Sequence, residues 1–312
     1  MRDSVVIVGS GMMGAGIAAV SALAKKNTIL IDTDKNKAID GVLKAKQCIK
    51  ELADNGLASK ADVEPACSRI SAMGGLAEAL EKAEFVIEAV YENLQLKQEL
   101  FAEMDALLPE DIPIASNTSG LRITDIALNM KYPGRAVTAH FWFPGHLVPL
   151  VEVVIGDKTD EKVALWVKEE LDKWGKAPVL VRKDLPGQLA NRILQAIIRE
   201  AVDMVATGLA SPEDIDTAIK MGMGIRFPVW GPLEHIDAVG LDLAINVQNT
   251  VLPDISAEQN ANALLSELVE KGELGHKTGK GIYDWAKKDM TKLAARRNEF
   301  IISARKVIAG ME

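Results

Sequence analysis

Moving a proton near neutral pH takes a group that titrates there and a second group that holds it in one tautomer. Two residues of this chain suit that task. Of the four histidines, His140 closes the apolar run Ala136-Val137-Thr138-Ala139-His140, at the strand edge where ligands of open α/β sheets gather. Glu152 follows twelve residues later, inside the apolar stretch 148–155. A carboxylate in such a stretch implies a partner, because carboxylates are rarely buried unpaired. The spacing allows a strand, a reversal and a returning strand to bring the two side by side. A carboxylate on one imidazole nitrogen fixes the tautomer and raises basicity, leaving the other nitrogen for a substrate hydroxyl. Catalytic triads orient their base by the same logic. Ser116-Asn117-Thr118-Ser119 ends another apolar run and offers hydroxyl and amide donors to a developing alkoxide, although Ser and Asn at such a place also serve as helix caps. His146, His235 and His276 lack comparable context and read as structural.

A second constellation says what the proton accompanies. Residues 5–14, VVIVGSGMMG, run from β-branched residues into Gly9-Ser10-Gly11-Met12-Met13-Gly14 and then into an alanine-rich helical stretch. Gly9 permits the strand-to-helix turn, Gly11 keeps side chains away from a pyrophosphate, and Gly14 lets the helix lie close on the strand. Backbone N–H groups of Met12, Met13 and Gly14, with the positive end of the helix dipole, would hold the phosphates. A second strand, 28–32, ends in Asp32, eighteen positions after Gly14, where a carboxylate binds the adenosine ribose diol. That carboxylate repels a 2′-phosphate, which favours NAD; Lys35 and Lys37 nearby keep NADP open. A nicotinamide supplies or accepts hydride, and the protein must then manage the accompanying proton.

The elements that position these groups follow from periodicity. Helical patterns at 35–53 and 59–68 separate the second strand from apolar runs at 84–90, 112–116, 136–140 and 150–155, with helices at 94–108 and 160–174 and a strand at 178–181. Strands alternating with helices predict a mostly parallel, doubly wound Rossmann-like sheet, an α/β domain over residues 1–184. Pro186-Gly187 then marks a boundary, and 185–312 reads as an all-helical C-terminal domain with helices at 188–207, 212–222, 236–251, 257–271 and 290–309.

Bulk properties narrow the function classes. A chain of 312 residues accommodates two domains, and its net charge of −8, without a dense basic run, argues against nucleic acid as a partner. Cys48 and Cys67 form no CxxC pair and have no neighbouring His, so neither a metal site nor a disulfide scaffold is expected. The first strand signal begins almost at Met1 and no stretch approaches ~18 unbroken apolar residues, so a cytoplasmic protein without a membrane span is expected.

Several segments together carry a resemblance. E-A-V-Y-E-N-L-Q-L-K at 88–97, S-N-T-S at 116–119, H-F-W-F-P at 140–144, L-V-E-V at 150–153, P-G-Q-L-A-N-R at 186–192, E-D-I-D-T-A at 213–218 and G-H-K-T-G-K-G-I-Y at 275–283 resemble the 3-hydroxyacyl-CoA dehydrogenase family, in the family's order. The resemblance implies a Rossmann-like domain followed by a helical domain that dimerises, with the active site in the cleft between them. It makes His140 the general base, Glu152 its partner, and Ser119 and Asn191 the polar groups around the reacting hydroxyl. It also places Glu92, Asn117, Lys97 and Lys277 where the family approaches the cofactor, beside Asp32.

Some positions depart from the family pattern. Phe143 replaces the Asn of the usual H-F-F-N-P, and Gly120 stands where many members have a second Ser. The family's Ser and Lys contacts to CoA have no equivalents among Ala45, Cys48 and Leu52. Pro149-Leu150-Val151-Glu152 and the tail carrying Arg296-Arg297 look like the branch acting on free hydroxy acids, with carnitine dehydrogenase, gulonate 3-dehydrogenase and lambda-crystallin. The expected reaction is hydride transfer between NAD and the C3 hydroxyl or keto carbon of a 3-hydroxy acid, with the free acid preferred over the CoA thioester. Lambda-crystallin supplies the alternative of a non-catalytic NAD(H)-binding structural protein. Arg226, Trp230 and Glu234 are candidates to read the head of the acid.

Overall fold

The computed structural model describes residues 2–310. In chain order its first part comprises β1 (Ser4–Val8), α1 (Met12–Leu23), β2 (Asn27–Ile31), α2 (Lys35–Asp54), α3 (Val63–Ser68), β3 (Ile70–Met73), α4 (Leu76–Leu80), β4 (Ala83–Glu88), α5 (Leu94–Leu107), β5 (Ile114–Ser116), α6 (Ile123–Ile126), β6 (Ala136–Phe141), β7 (Leu150–Val154), α7 (Glu161–Lys173) and β8 (Ala177–Val181). The eight strands form one sheet in the order β3-β2-β1-β4-β5-β6-β7-β8. Neighbours run parallel except β6 and β7, which are antiparallel.

The strand period of two divides the core. Val5 and Ile7 of β1 face a cluster with α1, α2, α3 and α7, while Val6 and Val8 face a cluster with α4, α5 and α6. Both sheet faces are therefore covered, as a parallel sheet requires. Strand order reverses around β1, which lies between β2 and β4, so a crevice opens beyond the carboxyl ends of β1 and β4.

Two fixings hold the 142–149 connection between β6 and β7. The buried Lys176 ammonium donates to the carbonyls of Gly145 (2.5 Å) and Val148 (3.0 Å). His146 Nε2 meets Glu51 Oε2 of α2 at 2.9 Å.

The first compact unit ends at Ala190 and the second begins at Asn191. Gln188, Leu189 and Ala190 bind groups of the first unit, which carries that unit past the Pro186-Gly187 turn. The remaining elements are α8 (Ala190–Ala206), α9 (Pro212–Ala218), α10 (Pro232–Val239), α11 (Leu241–Val251), α12 (Ala263–Glu270) and α13 (Met290–Ala309).

Four local expectations need correction. The sequence reading has no strand between 68 and 84, yet β3 pairs with β2 at the sheet edge and α4 follows it; four residues of mild polarity give too short a pattern to stand out. The helix expected at 236–251 is broken by Gly240, whose φ of +104° ends α10 before α11 begins. The one expected at 257–271 starts only at Ala263, behind the Asn262 cap. The helix expected at 212–222 changes to a π turn at Ile219–Met223.

Candidate active site

The antiparallel register places His140 of β6 directly opposite Glu152 of β7. Their side chains meet with Nδ1 to Oε2 at 2.7 Å, His140 being 6% exposed and Glu152 wholly buried. A carboxylate only accepts, so Nδ1 carries the proton and Nε2 presents the lone pair. Oε2 also accepts from the Trp142 indole N–H at 3.0 Å, and Oε1 accepts from the backbone amides of Leu189 (3.0 Å) and Ala190 (2.7 Å). Burial by itself would raise the Glu152 pKa. The hydrogen bonds from His140, the Ala190 amide and Trp142 bring it down from the ordinary 4.5 to about 2. Glu152 is therefore ionised at neutral pH.

A second polar group shapes the loop after β5. Glu92 Oε1 accepts from the Thr118 hydroxyl (2.6 Å) and the amides of Ser119 and Gly120 (3.0 Å each), so the carboxylate folds the 118–120 loop around itself. Although burial opposes ionisation, those bonds and the nearby Lys97 charge lower the Glu92 pKa. Ser119, exposed at the tip, also has its hydroxyl within 3.5 Å of Glu92. Asn117 Oδ1 accepts from the Phe141 amide at 2.8 Å, which ties this loop to β6 beside His140.

Lys97 does not reach outward. It is 1% exposed, and its ammonium lies 2.6 Å from Glu88 and 3.5 Å from Glu92. Glu88 also accepts from Ser116 Oγ at 2.6 Å, so Ser116 is committed inside the sheet and not to an alkoxide.

The glycine turn lies at the crevice beyond β1. Gly9 has φ +105°, and a Cβ there would come within 2.5 Å of the Ala89 carbonyl oxygen after β4. A Cβ on Gly14 would strike the Gly9 carbonyl oxygen, so both glycines are demanded by the fold. Gly11 differs: it is exposed, its φ is −65°, and a Cβ would meet nothing within 4 Å. No protein neighbour requires glycine there, and the open space lies at the start of α1. The first turn of that helix has neither a side-chain cap nor an acidic residue, so the N–H groups of Met12, Met13 and Gly14 suit an anion. Asp32, at the end of β2, accepts from the amide and hydroxyl of Ser10 (2.9 and 2.7 Å) and from those of Thr33 (2.9 and 3.2 Å). Against the opposing effect of burial these bonds lower its pKa, so a negative charge stands where a 2′-phosphate would have to lie. These residues fit a dinucleotide without that phosphate.

The remaining predicted residues belong to the second unit. Asn191 lies in the first turn of α8, and Lys277 is exposed in the turn between the bridged residues Gly275 and Lys280. Elsewhere in that unit Arg226, Trp230 and His235 lie together, the guanidinium 3.3 Å from His235 Nδ1 and the Trp230 and His235 rings 5.6 Å apart, while Glu234 caps the Gly231 amide.

Comparison with known proteins shows the family. The family pattern described as "3-hydroxyacyl-CoA dehydrogenase, NAD binding domain" matches residues 4–185, and "3-hydroxyacyl-CoA dehydrogenase, C-terminal domain" matches 187–285. The chain belongs to the 3-hydroxyacyl-CoA dehydrogenase family. It is an NAD-dependent oxidoreductase of that family, with a Rossmann-like NAD-binding domain and a helical C-terminal domain. A 5-formyl-3-hydroxy-2-methylpyridine 4-carboxylate 5-dehydrogenase of Mesorhizobium japonicum is 30% identical over 314 aligned residues, covering 100% of each chain. A probable 3-hydroxybutyryl-CoA dehydrogenase of Bacillus subtilis is 36% identical, covering 91% of this chain and 98% of its own. A crystal structure described as that of a 5-formyl-3-hydroxy-2-methylpyridine 4-carboxylic acid 5-dehydrogenase, "an NAD+ dependent dismutase", superposes with a TM-score of 0.91 at 30% identity over 99% of both chains. Among the described residues no helix is long and apolar enough to cross a membrane, and no group of His, Cys, Asp or Glu is arranged to hold a metal ion.

Sequence reasoning missed Trp142, Glu88 and Gln188. Trp142 was legible as a same-face neighbour of His140 by the strand period. Glu88 stands inside the quoted motif but without a visible partner, since Lys97 and Ser116 reach it only in three dimensions. Gln188, at φ +53°, donates its side-chain amide to the Thr118 carbonyl at 2.9 Å; it stands inside the quoted P-G-Q-L-A-N-R segment, but its partner is seventy residues away.

Proposed function

We propose that this protein is an NAD-dependent dehydrogenase that oxidises the secondary hydroxyl of a small free hydroxy acid, or reduces the corresponding keto acid, and does not require a CoA thioester. The observation that carries the choice of substrate is coverage. The pyridine-carboxylate dehydrogenase aligns with the whole chain, including the last helix α13, whereas the family's C-terminal pattern stops at 285. The named substrate of that relative is a free carboxylic acid. Identity alone leans the other way, with 36% to the CoA enzyme, but spread over a shared catalytic apparatus it does not address the acyl carrier. Ala45 and Leu52, which stand where CoA-specific members carry polar contacts, are buried in the core, and Cys48 packs against it. Phe143, 47% exposed, offers a ring where the family has an amide.

His140 Nε2 takes the hydroxyl proton as the substrate is oxidised and returns it in reduction. Glu152 remains a carboxylate throughout, holding Nδ1–H and balancing the imidazolium. Ser119, set by Glu92, and Asn191 orient the reacting oxygen. NAD, when bound, supplies the hydride acceptor. Gly11 and the first turn of α1 hold its pyrophosphate and Asp32 its ribose. The active species is a homodimer joined through the helical unit, which leaves Ile193, Leu194, Ile198, Leu241 and Ile245 exposed in the single chain.

A parallel screen of NAD reduction with 3-hydroxybutyryl-CoA, carnitine, gulonate and simple 3-hydroxy acids tests this reading. Turnover with a free acid is expected, from a species whose mass by light scattering is twice 33.7 kDa. A kcat/KM for the thioester about tenfold above that of every free acid would overturn it.

A further inference from the structure

We infer that Trp142 is a positioning residue of the proton-transfer pair, setting both the aim and the strength of the Glu152 carboxylate toward His140 through its indole N–H. The inference rests on the reading of His140 as the base only for its kinetic consequence. Its geometry stands independently.

Strand alternation puts residues 140 and 142 on one face, and the register puts Glu152 opposite His140 on that face. Trp142 follows the end of β6, half-buried, with its ring centroid 5.8 Å from that of His140. Its Nε1–H donates to Oε2 at 3.0 Å, the same oxygen that receives His140 Nδ1–H at 2.7 Å. The Leu189 and Ala190 amides occupy Oε1. An ionised carboxylate has about four acceptor positions. All four are therefore taken, each by a different N–H, and none is left for water.

Two consequences follow from that count. The carboxylate cannot rotate about its terminal bond without losing a donor, so the lobe of Oε2 that faces His140 is held on line. Trp142 also draws on the charge of the oxygen His140 leans on. Among the described residues His140 is the ion-pair partner of Glu152. Removing the indole donor concentrates the carboxylate's charge on the imidazole, which favours its protonated form. The enzyme then holds the proton more tightly than the hydroxyl oxidation wants. A Phe at 142 keeps an aromatic ring and lacks the donor. It therefore separates hydrogen bonding from packing.

The test follows His140 by NMR across a pH titration in the wild-type protein and in Trp142→Phe, with the pH profile of kcat/KM alongside. The imidazole midpoint should move up by about half a unit to one unit in the variant, and the acid limb of the profile should move with it. Superimposable imidazole titrations would overturn the inference. A shifted titration with an unmoved acid limb would uphold the role of Trp142 and remove His140 from the proton-transfer step. Should Trp142→Phe fail to fold, the wild-type protein still decides: the Trp142 indole N–H resonance should lie downfield and move as His140 titrates. An indole signal indifferent to that titration would overturn the inference.

Discussion

Glu88 and Glu152 are both wholly buried in the sheet, Glu88 accepting from three donors and Glu152 from four, yet they have different kinds of partner. Glu88, the last residue of β4, accepts from Lys97 (2.6 Å), Ser116 (2.6 Å) and the Val90 amide (2.6 Å). Its cationic partner Lys97 lies 1% exposed beneath the surface. Glu152 faces the imidazole of His140, a side-chain type that can carry a proton on either nitrogen. One buried carboxylate thus fastens the strands and helix below the cofactor crevice. On the proposed function, the other is held ready to balance the proton that His140 takes from the substrate. What separates the two is the kind of partner, a lysine ammonium against an imidazole, since both carboxylates are wholly buried.

The comparison can be broken at either end. Lys97→Met leaves the Glu88 charge without a cation and should cost about 3 kcal/mol of stability, read from denaturant midpoints. An unchanged midpoint would mean that the pair does not fasten the fold. A smaller effect is expected in acid. Because the Glu152 pKa is lowered from 4.5 to about 2 in the folded chain, its stabilisation is complete above pH 4.5 and is lost as pH falls toward 2. Wild-type Tm should therefore decline over that window, and Glu152→Gln, already less stable at neutral pH, should decline less. Parallel curves would contradict the depressed pKa.

Much of the site was legible because its parts are local or periodic. The turn at Gly9–Gly14, the acid ending β2 and the His140–Glu152 pairing follow from spacing, and the structure sets each in the geometry that spacing implies. Gly9 and Gly14 prove to be demanded by packing, however, and Gly11 alone keeps space for a ligand. Lys97 was expected to approach the cofactor, but its partner Glu88 lies on a strand nine residues earlier and pulls it inward. β3 escaped notice because an edge strand of four residues carries little pattern. The four donors on Glu152 come from β6, from the residue after it and from the turn that begins α8. No sequence window contains that convergence.

The measurement that bears most directly on the account is His140→Gln, assayed for NADH binding by fluorescence and for turnover on whichever acid the screen identifies. Binding should stay within a small factor of wild type while turnover falls by roughly two to four orders of magnitude. Near-normal turnover in that variant would contradict the assignment of proton transfer to the His140–Glu152 pair.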